Sequence, residues 1–417
     1  MRSFSKTKLL CFVASLSVIL LTSRILPSFQ PSLIRITKAN QGFLSKKNSS
    51  LNKRSCIPKK NVVFLKTHKT GGSTITNILN RFGESRRLTF ILPKLGENRL
   101  DWPWFFRKDS FYPLNGSTPN ILNNHARYNP DVMQEIMPND TVYITIVRNP
   151  ITQFESSFSY MTFDKILGMQ NSTDPLEEFF KNPEQVLVNY VLTQDLRINS
   201  DRLKLIRNGM FYDLGLESKD FKNQKKIRSS IEKLDSQFDL VMITEYFEES
   251  LVLLKRLMCW EIDDVVFFRL KQRSNELKRT ISKSLQKKIM QWSQADVQLY
   301  KHFNRTFWTV LKNIGKDFWD EVNLLKAKNK IMSDLCLQQM NQVSSELFQT
   351  VQTKQYKLRT NIPYSTREMC KRMTWDEIKY VKHLRELQTS KDEKKDSNGI
   401  LLKATAWLTN QLHFYLI

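Results

Sequence analysis

Leu65-Lys-Thr-His-Lys-Thr-Gly-Gly-Ser-Thr74 is the stretch on which the reading of this chain turns. Before it, Asn61-Val-Val-Phe-Leu65 is an apolar run of strand length, closed by a polar, turn-forming segment. After it, Ile75, Ile78, Leu79 and Phe82 recur at helical spacing. The quoted stretch therefore joins the end of a strand to the start of a helix. Such a junction can hold a phosphate, because the N–H groups of a first helical turn point outward and small residues let an anion approach. Gly71 and Gly72 permit the turn, Thr70, Ser73 and Thr74 carry hydroxyls, and Lys69 supplies a cation. The order differs from the nucleotide-binding pattern G-x-x-x-x-G-K-[ST], since the lysine precedes the glycines. On the loop alone, an ordinary Gly-rich connection with a Ser/Thr cap remains equally open.

Working outward, a second unit of the same kind begins at Thr141. Thr141-Val-Tyr-Ile-Thr-Ile-Val147 has strand chemistry, breaks at Arg148-Asn-Pro150, and gives way to a helical pattern through Phe154 and Phe158. Phe238-Asp-Leu-Val-Met-Ile-Thr244 is a third strand, leading into a helix over 250–260, and 274–330 is mainly helical. Strands alternating with helices imply an α/β fold with a central parallel sheet covered on both faces. Ligands of such sheets bind at the carboxyl ends of the strands. Arg148 at a strand end, with Ser156 on the following helix, would face the same crevice as the Gly-rich loop. An arginine fork plus a hydroxyl suits a second phosphate. The competing reading pairs Arg148 with a carboxylate and leaves Ser156 facing solvent.

The rest of the chain bounds the setting. Its 417 residues are 41% hydrophobic, enough for a sizeable core, and 65 Lys and Arg against 41 Asp and Glu give a net charge of +24. Such an excess suits anionic partners. No zinc-finger spacing, RNP-like motif or basic zipper accompanies it, so nucleic acid is not expected as a partner. No His/Cys/carboxylate spacing suggests a metal. Residues 1–8 are basic and 9–26 largely apolar, which reads as a short signal anchor with its N-terminus cytosolic and the body lumenal. A cleaved signal peptide is the alternative; the stretch has no convincing small-x-small cleavage site. Residues 27–57 read as a stem, 58–385 as the folded domain, and 386–417 as a charged, partly disordered tail. Sequons at Asn48, Asn115, Asn139, Asn171 and Asn304 agree with a secretory route. Cys56, Cys259, Cys336 and Cys370 can form two disulfides in three pairings.

The chain resembles the Golgi carbohydrate sulfotransferases, and most closely the galactose 3-O-sulfotransferases, galactosylceramide sulfotransferase among them. The likeness is carried by Phe64-Leu-Lys-Thr-His-Lys-Thr70 with Ser73-Thr74 and Asn77-Ile-Leu79. Asn124-His-Ala-Arg127, Val147-Arg-Asn-Pro150 and Phe154-Glu-Ser-Ser-Phe158 continue it, as do Glu245-Tyr-Phe-Glu-Glu-Ser-Leu-Val-Leu-Leu-Lys255 and Cys259-Trp-Glu261. It runs from about Cys56 to about Arg273. Members often have Ala-Ser at Gly71-Gly72 and Asp at Asn149. The resemblance implies a P-loop-like sulfotransferase fold behind a transmembrane helix, and transfer of sulfate from PAPS (3′-phosphoadenosine 5′-phosphosulfate), without a metal, to the 3-hydroxyl of a terminal galactose. It implies that Lys69, Thr70, Gly71, Gly72, Ser73 and Thr74 hold the 5′-phosphosulfate, that Arg148 and Ser156 hold the 3′-phosphate, and that the enzyme sits in the Golgi membrane as a single-pass type II protein. A homodimer is compatible with it. A glycosaminoglycan acceptor, which the positive charge would suit, and an inactive glycan-binding protein are the competing functions.

Sulfuryl transfer is mainly positioning and charge stabilisation. Lys69 is assigned to the departing bisphosphate, and a histidine suits the acceptor proton. Among His68, His125, His302, His383 and His413, His125 lies in a polar loop before the second strand unit and resembles the base of uronosyl 2-O-sulfotransferases. His68, within the donor loop, is next, and Glu155 third. A structural, hydrogen-bonded His125 is the alternative. Asp101-Trp-Pro-Trp-Phe-Phe106 reads as core packing in preference to a sugar platform.

Overall fold

A computed structural model describes residues 56–94, 98–193, 200–271, 279–338 and 356–390. The expected cytosolic tail, anchor at 9–26 and most of the stem lie outside them. Among the described residues, no helix is long and apolar enough to cross a membrane.

Four parallel strands form the sheet: β1 (Val62–Leu65), β2 (Ile121–Leu122), β3 (Val142–Val147) and β4 (Leu240–Ile243), in the spatial order β2-β1-β3-β4. Val62 pairs with both Ile121 and Val142, and Ile144 pairs with Leu240. Every residue of β1 and β3 is buried, as expected of parallel strands covered on both faces by helices. From β1 the chain moves outward to β2 and then returns to the other side of β1 for β3. The boundary between β1 and β3 is thus the switch point of the sheet, where a crevice opens beyond the strand ends. The loop after β1 and the turn after β3 face that crevice.

The first and second helices of interest, α1 (Gly72–Ser85) and α2 (Pro150–Tyr160), start where the two motifs predict helices. Pro150 suits the first turn of α2, and the Asn149 side chain accepts a bond from the Ile151 N–H. The short α3 (Gly209–Asp213) is buried throughout. Met210 and Phe211 donate their N–H groups to the Asp296 carboxylate at 3.2 and 2.8 Å, and Asp296 donates its own N–H to Asn208 Oδ1. Next come α4 (Phe247–Met258), which follows β4, and three further helices: α5 (Lys283–Trp292), α6 (Gln294–Lys312) and α7 (Lys316–Cys336).

Cys56 pairs with Cys259 and Cys336 with Cys370, which selects one of the three pairings the sequence allows. The C-terminal part departs from expectation. After α8 (Tyr364–Thr374), residues 377–390 are helical, so the boundary expected at 385 falls inside an element. The cause is a set of specific contacts with the sheet side of the domain. Gln388 accepts the Phe90 N–H at 2.8 Å, Arg385 donates to the Pro93 carbonyl, and Asn77 of α1 donates to the carbonyls of Arg372 and Trp375. Charged composition alone does not make 386–390 a tail.

Candidate active site

The crevice is a cavity of about 480 Å³, a size suited to a small ligand. Its wall carries six cations, Lys66, Lys69, Arg148, Arg269, Lys271 and Arg279, against two carboxylates, Glu155 and Glu377. An anion is favoured there on charge alone.

The Gly-rich loop forms one end. Lys69 and Gly71 both take left-handed backbone conformations, with φ of 63° and 86°. A non-glycine residue there is uncommon, and alternating left- and right-handed residues turn successive N–H groups to one side. At the N-terminus of α1 no side chain caps the helix and no acidic residue occupies the first turn. The positive end of the helix dipole therefore faces the cavity uncompensated by either device. A Cβ at Gly72 would stand 2.7 Å from Lys66 Cγ, so the glycine lets the Lys66 stem cross the loop.

Each predicted donor residue can be placed. Lys69 Nζ lies 3.5 Å above the Tyr160 ring, a cation–π contact at the cavity wall. Gly71, Gly72, Ser73 and Thr74 line the cavity, and Thr74 Oγ1 accepts the Leu270 N–H at 3.1 Å. Thr70 does not line it: the side chain is fully buried, and its hydroxyl donates to the Thr67 carbonyl at 2.9 Å. Arg148 lines the cavity while donating to Thr152 Oγ1 and to the Lys69 carbonyl, both at 3.0 Å. It thereby braces the strained Lys69 backbone. Thr152, Ser156 and Tyr160 follow at intervals of four on one face of α2, and all three line the cavity. Glu155 is also in the wall.

Both candidate bases line the same cavity. His68 is 7% exposed, and Asp213 of α3 accepts its backbone N–H at 2.7 Å and faces its Nδ1 at 2.9 Å. Asp213 also accepts from Trp102 Nε1 at 2.9 Å, and Gln153 donates to the His68 carbonyl at 3.1 Å. The His125 ring stacks on His68, and its Nδ1 is buried with no hydrogen-bond partner. Burial pushes the His125 pKa well below the usual imidazole range, and the nearby Lys66 and His68 charges add to that. His302 pairs with Asp235 and His383 with Glu84, and neither lines the cavity; His413 lies outside the described residues.

Beyond these the sequence reading had no assignment for Lys66 and Glu377. Their side chains meet at 2.5 Å and are 4% and 3% exposed. Burial lowers the Lys66 pKa to about 8 against the opposing pull of Glu377. Glu377 is held well below the carboxylate range by Lys271 and Lys66, which overcome the effect of burial. Asn98 donates to the same Glu377 oxygen at 2.5 Å. Lys66 had a signal available: it lies two residues from His68, so in an extended segment both face one side. Glu377 had none, because 308 positions separate it in sequence from Lys69 (377 less 69). The aromatic cluster is mainly core, with Trp102 and Phe106 buried, but Trp104 is 68% exposed. Among the described residues no group of three or more His, Cys, Asp or Glu is placed to hold a metal.

Human galactosylceramide sulfotransferase is 33% identical over 345 residues, covering 79% of each chain. Mouse galactose-3-O-sulfotransferase 2 is 33% identical over 356 residues, 81% of this chain and 88% of its own. Bovine galactose-3-O-sulfotransferase 3 is 36% identical over 259 residues, 61% of this chain and 58% of its own. The profile of the family described as galactose-3-O-sulfotransferase matches residues 1–388, and the chain belongs to that family of sulfotransferases.

Proposed function

We propose that this enzyme transfers the sulfuryl group of PAPS to the 3-hydroxyl of a terminal galactose on a glycolipid or glycoprotein glycan, as a type II protein of the Golgi membrane. The observation that carries the donor assignment is the uncapped N-terminus of α1, set among Lys69, Arg148 and the hydroxyls of Ser73 and Ser156. This donor set suits a ligand with two separated phosphate groups. The loop and Lys69 take the 5′-phosphosulfate, and Arg148 with Ser156 takes the 3′-phosphate.

In the reaction the galactose oxygen forms a bond to sulfur while the bond from sulfur to the 5′-phosphate oxygen breaks. The leaving oxygen keeps the electron pair, and Lys69 and the α1 N–H groups stabilise it as adenosine 3′,5′-bisphosphate departs. The acceptor proton passes to His125. Burial lowers its pKa and so favours the neutral ring, the form that accepts a proton. A second reading makes His68 the base. The Asp213 contact favours it, because a carboxylate on Nδ1 fixes the ring and leaves Nε2 to accept a proton.

The test is transfer from radiolabelled PAPS to galactosylceramide, lactosylceramide, a galactose-terminated glycoprotein and an undersulfated glycosaminoglycan. Label on any galactose-terminated acceptor supports the proposal, and label on the glycosaminoglycan alone refutes it. Lys69→Ala and Arg148→Ala should each lose about 1.5–3 kcal/mol of donor or transition-state binding while remaining folded. Near wild-type turnover in either variant would remove that residue from the donor site.

A further inference from the structure

Glu377 presents a buried oxygen that has an ion pair to Lys271 but no hydrogen bond. The side chain is 3% exposed and lines the cavity. Its Oε2 takes both Lys66 and Asn98, whereas its Oε1 is buried and accepts no hydrogen bond; the Lys271 ammonium is 3.8 Å away. A buried carboxylate oxygen without a donor is costly, so the position is suited to a ligand that brings one. An ionised phosphate brings no donor hydrogen, so the phosphates of the donor nucleotide do not fill this role, whereas a hydroxyl does. Asn98 ties the group to the candidate base: its side chain bonds Glu377, and its carbonyl accepts the His125 N–H at 2.9 Å.

We propose that Glu377 Oε1 accepts a hydrogen bond from a second hydroxyl of the acceptor sugar. The inference rests on the galactose reading above. The contact comes from Glu377, the first residue of the C-terminal helix 377–390 and its one member in the cavity wall among the described residues.

The experiment uses the full chain with methyl β-galactoside and its 2-, 4- and 6-deoxy analogues. In the wild type, one analogue should lose about 10- to 100-fold in kcat/KM, the usual worth of a bond to a charged acceptor. In Glu377→Gln the same analogue should lose less than about threefold relative to its parent, because a neutral amide oxygen binds the hydroxyl weakly. Affinity for adenosine 3′,5′-bisphosphate, measured by calorimetry, should stay within about twofold, which also reports folding. Asn98→Ala should shrink the penalty in part, and it keeps the test open if Glu377→Gln does not fold. Equal use of all three analogues by the wild type overturns the proposal, as does a full penalty in Glu377→Gln. A fall in bisphosphate affinity with unchanged acceptor KM would assign Glu377 to the donor instead. Transfer to the parent galactoside with no analogue discriminated would sink this contact while leaving the galactose reading intact. Transfer to a uronate-bearing glycan and to no galactoside would sink both.

Discussion

The imidazole of His68 lies against that of His125, with ring centroids 4.2 Å apart and planes 19° from parallel. Two rings so close cannot both carry charge cheaply, and the environment separates their roles. His68 is anchored through its backbone and Nδ1 to Asp213, while His125 has no hydrogen bond to its buried Nδ1 and is held neutral. The anchored ring packs against the unanchored one, and the proposed base is the unanchored ring.

This arrangement predicts a split between two alanine variants. His125→Ala should lower kcat by about 10²–10⁴, the usual worth of general base catalysis, with PAPS affinity little changed. His68→Ala should weaken PAPS binding, since the residue is part of the loop that carries Lys69. If His68→Ala loses kcat without losing donor affinity and His125→Ala keeps full kcat, the two assignments must be exchanged.

Asp213→Asn gives an independent reading of the same pair. With His125 as base, the asparagine should cost less than about tenfold in kcat. Stability should fall by about 1–3 kcal/mol, because a buried imidazole loses its acceptor. With His68 as base, kcat should fall on the order of 10⁴, as when a catalytic imidazole loses its orienting carboxylate. Steady-state kinetics alongside thermal unfolding distinguishes the outcomes.

The pH profile should be set by Lys66 on its alkaline side. Its pKa in the folded protein is about 8, so its charge is present below that pH and lost above it. kcat/KM for PAPS should therefore fall above about pH 8. No acid limb is expected in the ordinary imidazole range, because His125 is already neutral there. Lys66→Arg, which keeps its charge, should move the alkaline limb upward; an unmoved limb would assign it to another group. Between pH 8 and the ordinary lysine range the unfolded chain binds more protons at this residue. Lys66 alone thus makes stability rise with pH in that window.

Much of this was readable in the sequence because it is local. β1, β3 and β4 are short, largely apolar runs containing β-branched residues, and the loop between Leu65 and Gly72 carries its own turn chemistry. β2 was missed because two residues, Ile121 and Leu122, give no periodicity to detect. Asp213 and Glu377 were missed for a different reason. A single carboxylate in a helix looks the same whether it faces water or closes a site, and only the fold brings Asp213 to His68 across 145 positions. The likeness read from motifs ends near Arg273, but the family match runs to 388 and includes Glu377, which meets Lys66 in the cavity wall.

The last prediction concerns compartment, through the sequons. Asn115, Asn139 and Asn171 are exposed and each lies in a turn, where a glycan can be attached and kept in solvent. Asn304 differs: it sits within α6, half-buried, and its Oδ1 is buried. If the body is lumenal as proposed, protein from a secretory host should gain gel mobility after N-glycosidase treatment. Asn115→Gln, Asn139→Gln and Asn171→Gln should each remove one glycan step, and Asn304→Gln should change nothing. A glycan at Asn304 would require α6 to be unfolded at the time of transfer. No shift in any variant or in the parent would place the body outside the secretory lumen, and the type II topology would fail with it.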